Sequence, residues 1–329
     1  MKERDLLLAI VLMLVAFGIV MIYSTSSLAA ERFKGEVDTW FLLRRQLLWA
    51  LLSFLALLLV MDLDYHRLAR GVPWLLAGCA VLLVAVFFSR EINGARRWIR
   101  FGGVGFQPSE IAKLVLILFV AHWMATRKET MASFRRDFLP LVGACGRLIG
   151  LVAVEPDIGT ATFLSLLTLT LMLLGGARLA HFLPFIVLVV PPAAWLLWSK
   201  FAHIEQRVRV FMDPAADPLG KGLQVLQSLI AIGSGGPLGL GLGQGRQKLF
   251  FLPEESTDYI LAIVGEELGL VGTLAVLLLF GIILWLGFRV ARKAPDALGF
   301  YLAVGNSTSL VAQALLNVAV VTATDPPNG

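Results

Sequence analysis

The sequence predicts an all-α, polytopic membrane protein that crosses a lipid bilayer about nine times. Hydrophobic residues make up 58% of its 329 residues and charged residues only 16%, whereas a soluble domain is roughly 25% charged. The mean hydropathy is +0.81, and apolar runs close to the roughly 20 residues that span a hydrocarbon core recur along the chain. A soluble protein of this length would need more surface charge, which excludes an ordinary soluble fold.

The predicted membrane helices follow these apolar runs and form a single transmembrane domain over 1–329. The first run is interpreted as a retained helix, because it exceeds the roughly 7–15 apolar residues of a signal peptide and further runs follow it. The sequence Glu155-Pro156-Asp157 predicts a tight reversal between the fifth and sixth helices, since proline disfavours helix in the residue before it. The helices are predicted at about 6–27, 42–61, 72–89, 109–126, 138–154, 158–175, 182–199, 265–288 and 298–321.

The long connection 200–258 is predicted to be a large extracytoplasmic loop. Within it, Gln224, Gln227 and Ser228 recur at helical spacing among aliphatic residues, which predicts a short amphipathic helix on or in the membrane surface. The glycine-dense run 233–245 lacks the spacing of phosphate-binding and dinucleotide-binding loops, so nucleotide binding is unsupported. The run favours a backbone that approaches a ligand closely, or a tight re-entrant turn.

The distribution of basic residues predicts a cytoplasmic N-terminus. In that orientation the short loops carry twelve lysines and arginines inside and eight outside, and the larger number is expected inside. The net charge of +5 is therefore attributed to topology and not to nucleic-acid binding. The basic residues of the long outer loop indicate either an anionic ligand or contact with lipid headgroups. They are Lys200, Arg207, Arg209, Lys221, Arg246 and Lys248.

Glu110 and Lys113 follow Pro108 and Ser109 at the predicted start of the fourth helix. Their i, i+3 spacing makes them neighbours on one helix face, and each charge alone would cost about 3 kcal/mol deep in a membrane. We therefore expect them to pair or to face a polar cavity. Two interpretations stay open, a structural ion pair or a lysine that binds a phosphate and is oriented by the glutamate.

The segment 251–259, FLPEESTDY, is the richest in carboxylates. A serine or threonine in it could cap the eighth helix, with Asp258 in the positive first turn. Alternatively, the cluster could place one base, or one set of metal ligands, against a substrate. Glu266 and Glu267 follow two turns later, close to the bilayer, where buried acids are candidates for function.

Several short motifs occur in a fixed order along the chain. They are NGARRWI at 93–99, FQPSEIAK at 106–113, EPDIGT at 155–160, IGSGG at 232–236, GQGRQK at 243–248, LPE at 252–254, TD at 257–258 and GEELG at 265–269. In this order the chain resembles the SEDS family (shape, elongation, division and sporulation), which includes RodA, FtsW and SpoVE. The short N-terminal tail is most like RodA, whereas the basic stretch at 246–248 looks closer to FtsW.

The resemblance implies a peptidoglycan glycosyltransferase for cell elongation and rod shape, working with a class B penicillin-binding protein. Its substrate would be lipid II, a disaccharide-peptide on undecaprenyl diphosphate, at the outer face of the cytoplasmic membrane. The family pattern has ten helices and continues further, so we expect the last helix to be missing from this chain. The essential aspartate of the family falls on Asp258. Substrate-binding or supporting roles fall on Arg97, Ser109, Glu110, Lys113, Asp157, Thr160, Arg246, Lys248, Glu254, Thr257, Glu266 and Glu267.

The expected reaction is an inverting glycosyl transfer in which Asp258 is the general base on the acceptor hydroxyl. Lys113, together with Arg246 or Lys248, or a bound Mg²⁺ or Mn²⁺, would stabilise the leaving diphosphate. Three alternatives compete with an elongation-type polymerase. They are a division-type polymerase, a lipid II flippase that uses intramembrane charges such as Lys113 and Arg147, and a scaffold in which Asp258 only caps a helix.

Overall fold

The computed structural model of the chain is predominantly helical. Among the residues that the structure describes, six helices are long and apolar enough to cross a membrane, and three further apolar helices are shorter. They confirm a polytopic helical membrane protein, while nine crossings stay a prediction. The structure describes residues 3–32, 39–89, 96–101, 104–127, 133–155, 157–188, 191–192, 195, 221–247 and 259–322.

The described residues contain eleven α-helices. The helices are α1 (Glu3–Arg32), α2 (Thr39–Met61), α3 (Tyr65–Arg70), α4 (Val72–Val86), α5 (Pro108–Thr126), α6 (Leu139–Val154), α7 (Ile158–Leu174), α8 (Leu183–Leu188), α9 (Lys221–Gly235), α10 (Ile260–Arg292) and α11 (Ala297–Val321). A π-helical turn at Phe134–Phe138 precedes α6, and a 3₁₀ turn at Leu179–His181 precedes α8.

Two short strands between α4 and α5 depart from the predicted all-α class. β1 (Ile99–Phe101) and β2 (Val104–Phe106) pair antiparallel. Gly105 lies beneath the indole of Trp98, because a Cβ there would come within 3.3 Å of the ring. The hairpin thereby fixes the chain just after Arg97.

The first of two compact units comprises residues 1–63, 203–286 and 310–328. In its main apolar cluster, α1 contributes Met21, α9 contributes Ala231 and α10 contributes Ile263. The end of α11 adds Val320 and Val321 to the same cluster. The core of this unit is therefore assembled from helices that are distant in sequence.

Helix α9 occupies the position of the predicted amphipathic helix. Ser228, part of the predicted polar pattern, is buried, and its hydroxyl donates to the carbonyls of Val225 and Val321 at 2.9 Å each. Leu229 and Ile230 on the same helix are exposed. The burial of Ser228 shows that side-chain polarity alone does not define the exposed face of α9. Its place outside the membrane stays a prediction.

The second compact unit comprises residues 64–202 and 287–309. Helix α5 is its most buried span and packs against α4, α6 and α7. Gly305 in α11 approaches this core, since a Cβ there would lie 2.6 Å from Ile117 and 3.3 Å from Leu171. Helix α5 is thus held on several sides by the other helices of the unit.

Helix α2 differs from α5 in its burial, because no residue of its span Leu43–Met61 is buried. Large aliphatic and aromatic side chains such as Leu51, Phe54 and Leu59 are exposed along it. An apolar surface of this size is costly in water, whereas in lipid the helix also satisfies its own backbone hydrogen bonds. The exposed face of α2 therefore fits a lipid-facing surface.

The boundaries of two predicted helices need correction. The eighth predicted helix, at 265–288, is the longer α10, which starts at Ile260 and ends at Arg292. The predicted boundary left out the apolar residues 260–264, which belong to the same helix. Of the predicted span 182–199, the structure describes α8 at Leu183–Leu188, while most of the remainder lies outside the described residues.

Candidate active site

The first polar cluster of the second unit lies at the start of α5. Lys113 and Glu110 form the predicted pair, with the Lys113 Nζ atom 2.7 Å from the Glu110 Oε2 atom. The side chain of Lys113 is 7% exposed and that of Glu110 is 56% exposed. The predicted pairing is confirmed, and Glu110 is the more exposed partner, which can reach the polar surroundings. Because a helix N-terminus repels a cation, the glutamate offsets an unfavourable position for the lysine.

Ser109 adds an unsatisfied polar group to this cluster. It is fully buried, and its hydroxyl has no hydrogen-bond partner within the described part of the chain. Gln107, the N-cap residue of α5, makes no side-chain capping bond. A helix N-terminus with a buried hydroxyl and a nearby ammonium is complementary to an anionic group.

Asp157 organises a second cluster at the turn between α6 and α7. Its Oδ1 atom accepts a hydrogen bond from the backbone N–H of Thr160 at 3.3 Å and caps α7. Its Oδ2 atom accepts from the Gln107 Nε2 atom at 3.2 Å, and the Arg97 Nη1 atom lies 3.9 Å from Oδ1. The structure thus brings together the predicted residues Arg97, Asp157 and Thr160, and it adds Gln107, which the sequence analysis missed.

Glu155 is the other residue that the sequence analysis passed over, because it was interpreted only as part of a turn. It is fully buried, and neither carboxyl oxygen has a hydrogen-bond partner among the described residues. Burial and the neighbouring charge of Asp157 raise the pKa of Glu155 to about 8, with Arg97 acting in the opposite direction. The sequence feature that could have indicated a buried acid is a glutamate beside a proline in a reversal between two apolar runs.

In the first unit, the predicted residues Glu266 and Glu267 are buried in α10. The Glu266 Oε1 atom accepts the backbone N–H groups of Arg246 at 2.7 Å and Gln247 at 3.2 Å. The Glu267 Oε2 atom accepts the N–H of Gly243 at 3.1 Å and the hydroxyl of Ser24 at 3.0 Å. Both carboxylates are therefore compensated by donors, as burial requires, and they support the loop that follows α9.

Backbone hydrogen bonds join the same loop to α10 on both sides of a break. The N–H of Leu240 donates to the Glu266 carbonyl at 3.0 Å, and the N–H of Leu270 donates to the Gly236 carbonyl at 2.9 Å. Gly269 interrupts α10 with φ 68° and ψ −164°, a conformation open essentially to glycine alone. Gly239, with φ +81°, faces the Glu267 carbonyl so closely that a Cβ would clash with it. The predicted tight glycine turn is thus a loop that interlocks with a broken helix.

Other predicted site residues divide into two groups. The side chain of Arg246 is exposed while its N–H binds Glu266. Arg147 is exposed on α6, which weakens the assignment of Arg147 to an internal substrate path.

Within the described residues, no three His, Cys, Asp or Glu side chains form a group that could hold a metal ion. The remaining predicted residues lie outside the described part of the chain, namely Asp258, Glu254, Thr257 and Lys248.

Comparison with known proteins agrees with this architecture. The chain is 39% identical over 329 residues to the stage V sporulation protein E of Bacillus subtilis, covering 99% of this chain and 89% of that protein. It is 38% identical over 340 residues to the probable peptidoglycan glycosyltransferase FtsW of Trichlorobacter lovleyi, covering 100% of this chain and 87% of that protein.

Two solved structures share the fold. One chain, from a study of the structural coordination of polymerization and crosslinking by a peptidoglycan synthase complex, superposes with a TM-score of 0.76 and 28% identity, over 98% of this chain and 88% of its own length. The rod shape determining protein RodA of Thermus thermophilus gives a TM-score of 0.65 and 25% identity, over 98% and 85%.

The fold and these clusters define a polytopic membrane protein with charged and polar groups at helix ends. Residues 4–329 match the model of the cell cycle protein family of FtsW, RodA and SpoVE. The chain therefore belongs to this family, also known as the SEDS proteins, as its motifs predicted.

Proposed function

We propose that the chain is a peptidoglycan glycosyltransferase that polymerises lipid II into glycan strands at the outer face of the cytoplasmic membrane, with its N-terminus in the cytoplasm. The observation that carries the proposal is the buried ammonium of Lys113 at the N-terminus of α5, beside the unsatisfied Ser109 hydroxyl. A buried cation with nearby donors suits a diphosphate, which is the anionic group of an undecaprenyl-diphosphate substrate. Family relatives named as probable peptidoglycan glycosyltransferases support the same activity.

The proposed reaction inverts the anomeric centre. Asp258 removes the proton from the acceptor hydroxyl, whose oxygen attacks the anomeric carbon of the donor as the bond to diphosphate breaks. Undecaprenyl diphosphate leaves as a stable anion, so a strong general acid is not required. Lys113 stabilises the negative charge on the leaving group, together with Arg246 or Lys248, or with a divalent cation such as Mg²⁺ or Mn²⁺.

We assign the supporting residues by their contacts. Arg97, Gln107 and Asp157 form a polar array on the second unit, while Glu266 and Glu267 hold the loop that leads towards Asp258. Glu254 and Thr257 are proposed to act beside Asp258 on grounds of sequence alone.

The biological setting is proposed in two versions. Elongation and rod shape follow from the resemblance to RodA, while a division-type role is equally supported by relatives named FtsW. A similar solved chain belongs to a peptidoglycan synthase complex that couples polymerization and crosslinking. We therefore propose a class B penicillin-binding protein as the partner that crosslinks the glycan strands.

The purified protein in proteoliposomes is expected to convert lipid II into glycan polymer, detected on gels, and to do so faster with its partner. A chelator in parallel reactions determines whether a divalent cation takes part. A flippase would instead move labelled lipid II between leaflets without making polymer. Transbilayer movement without polymer, in the presence of the partner and of Mg²⁺ or Mn²⁺, would contradict the proposal.

Lys113→Met is expected to lower the rate of polymer formation by about 10–100-fold, because a hydrogen bond to a charged group contributes roughly 1.5–3 kcal/mol. Methionine keeps the apolar stem of the side chain and removes the ammonium. Leu114→Met, at an exposed position on the same helix, is the matched control and should retain the rate. An unchanged rate in Lys113→Met would reduce the Glu110–Lys113 pair to a structural ion pair.

A further inference from the structure

Glu155 is a buried acid whose carboxyl oxygens have no hydrogen-bond partner in the described part of the chain. It lies at the turn between α6 and α7, its side chain is fully buried, and neither oxygen accepts or donates a hydrogen bond there. Two residues further on, Asp157 is held by Gln107 and by the N–H of Thr160. The two acids of this turn therefore differ in hydrogen bonding, because Asp157 has donors and Glu155 has none among the described residues.

The positive charge of the Arg97 guanidinium acts on both acids. The Arg97 Nη1 atom lies 3.9 Å from the Asp157 Oδ1 atom, and the charge of Arg97 also acts on the Glu155 carboxyl. Among the described residues, the charges of Asp157 on the same turn and Cys79 on α4 also interact with Glu155. An ionised Glu155 would place a second carboxylate beside Asp157, and an uncompensated buried charge is strongly unfavourable. The arrangement therefore favours a protonated Glu155 carboxyl beside the ion pair of Arg97 and Asp157.

We propose that Glu155 is a proton-linked positioning residue for Arg97 and Asp157. As a neutral acid it leaves Arg97 paired with Asp157, and as a carboxylate it competes for the same guanidinium. The pair is then intact at neutral pH and is disturbed at alkaline pH.

The pH range follows from the direction of the pKa shift. Burial raises the pKa of Glu155 from 4.5 to about 8, so the folded protein binds more protons than the unfolded chain between these values. Stability therefore falls as pH rises from the unfolded value to the folded one, and it becomes constant above it. Glu155→Gln, which keeps the shape and cannot ionise, should remove this dependence.

Infrared spectroscopy tests the protonation state directly. In the wild-type protein in detergent, a protonated-carboxyl C=O band is expected at neutral pH and should disappear as the pH is raised through about 8. Glu155→Gln should lack this band. Glu110→Gln is the matched control, because Glu110 is exposed and paired with Lys113, and it should retain the band. A band that is the same in wild type and Glu155→Gln would overturn the proposal.

A double-mutant cycle tests the effect on the ion pair. Arg97→Met and Asp157→Asn, alone and together, give the coupling of the two residues from apparent Tm values in detergent. The coupling should be present at pH about 6.5 and reduced at about 9.5, whereas in the Glu155→Gln background it should be equal at both pH values. Equal coupling at both pH values in the wild-type background would refute the positioning role.

The consequence for polymerisation rests on the proposed function. If the protein with neutral Glu155 is the active form, the rate of polymer formation should fall about tenfold for each pH unit above the pKa of Glu155, and Glu155→Gln should lose this alkaline fall. The same alkaline fall in both proteins would overturn the proposal. Wild-type protein that makes no polymer at any pH would contradict the glycosyltransferase assignment, and the infrared band and the coupling would still decide the role of Glu155.

Discussion

Asp258→Asn is expected to reduce polymer formation from lipid II by roughly 10²–10⁴-fold, the usual contribution of a positioned general base. Asparagine has nearly the same size but cannot take the proton of the acceptor hydroxyl. It also caps helices about as well as aspartate, so the substitution removes the base and keeps any capping function. The gel assay for glycan polymer measures the loss, and the apparent Tm in detergent verifies that the protein is folded.

Asp5→Asn provides the control for removing a carboxylate elsewhere, since Asp5 is an exposed residue paired with Arg4. Its rate of polymer formation should match that of the wild type. Full activity in Asp258→Asn would mean that Asp258 is not the general base, and another residue would have to take the proton of the acceptor hydroxyl. A partial loss below tenfold would assign Asp258 to orientation of the substrate instead of proton transfer.

Gly269→Ala is expected to destabilise the protein by more than about 3 kcal/mol, because strain in a region of φ and ψ reserved for glycine adds to a backbone clash. A Cβ at Gly269 would lie 2.7 Å from the Pro237 carbonyl carbon and closer still to the Gly239 nitrogen. The loop after α9 would have to leave the break in α10. Apparent Tm and amide hydrogen exchange of residues 236–247 measure the change.

Gly281→Ala is the matched control on the same helix. A Cβ at Gly281 meets nothing within 4 Å, and alanine is favoured over glycine in a helix interior by about 0.5–1 kcal/mol. This variant should therefore keep or slightly raise the apparent Tm and leave loop exchange unchanged. Similar Tm values for the two alanine variants would show that the break at Gly269 is not required.

Local sequence spacing predicted part of the candidate site correctly. Three-residue spacing on one helix face predicted the pair of Glu110 and Lys113, and the structure confirms the contact at 2.7 Å. The apolar runs predicted the helices because lipid requires about 20 apolar residues per crossing. Neither pattern contains information on solvent exposure, so the different exposures of Glu110 and Lys113 could not be predicted.

Long-range hydrogen bonds were beyond such reasoning. The contacts of Glu266 with Arg246 and of Glu267 with Gly243 join residues 20 and 24 positions apart, and they depend on a glycine conformation that composition does not reveal. The three-residue strands of the hairpin are too short to show an alternating pattern. The burial of Glu155 likewise depends on packing around a turn and not on its neighbours in sequence.

The length of α10 determines where its acids lie across the membrane. Its 33 residues would measure about 50 Å as a straight helix, whereas the hydrocarbon core is about 30 Å thick. The residues after Gly269, Leu270–Arg292, reach about 35 Å by themselves, so they suffice for one crossing. Residues 260–268 can then remain at the headgroup level, and the buried carboxylates of Glu266 and Glu267 among them are compensated by the backbone donors of the loop after α9. A helix too long for the bilayer, interrupted at Gly269, thus allows its acids to lie at the membrane surface and outside the hydrocarbon core.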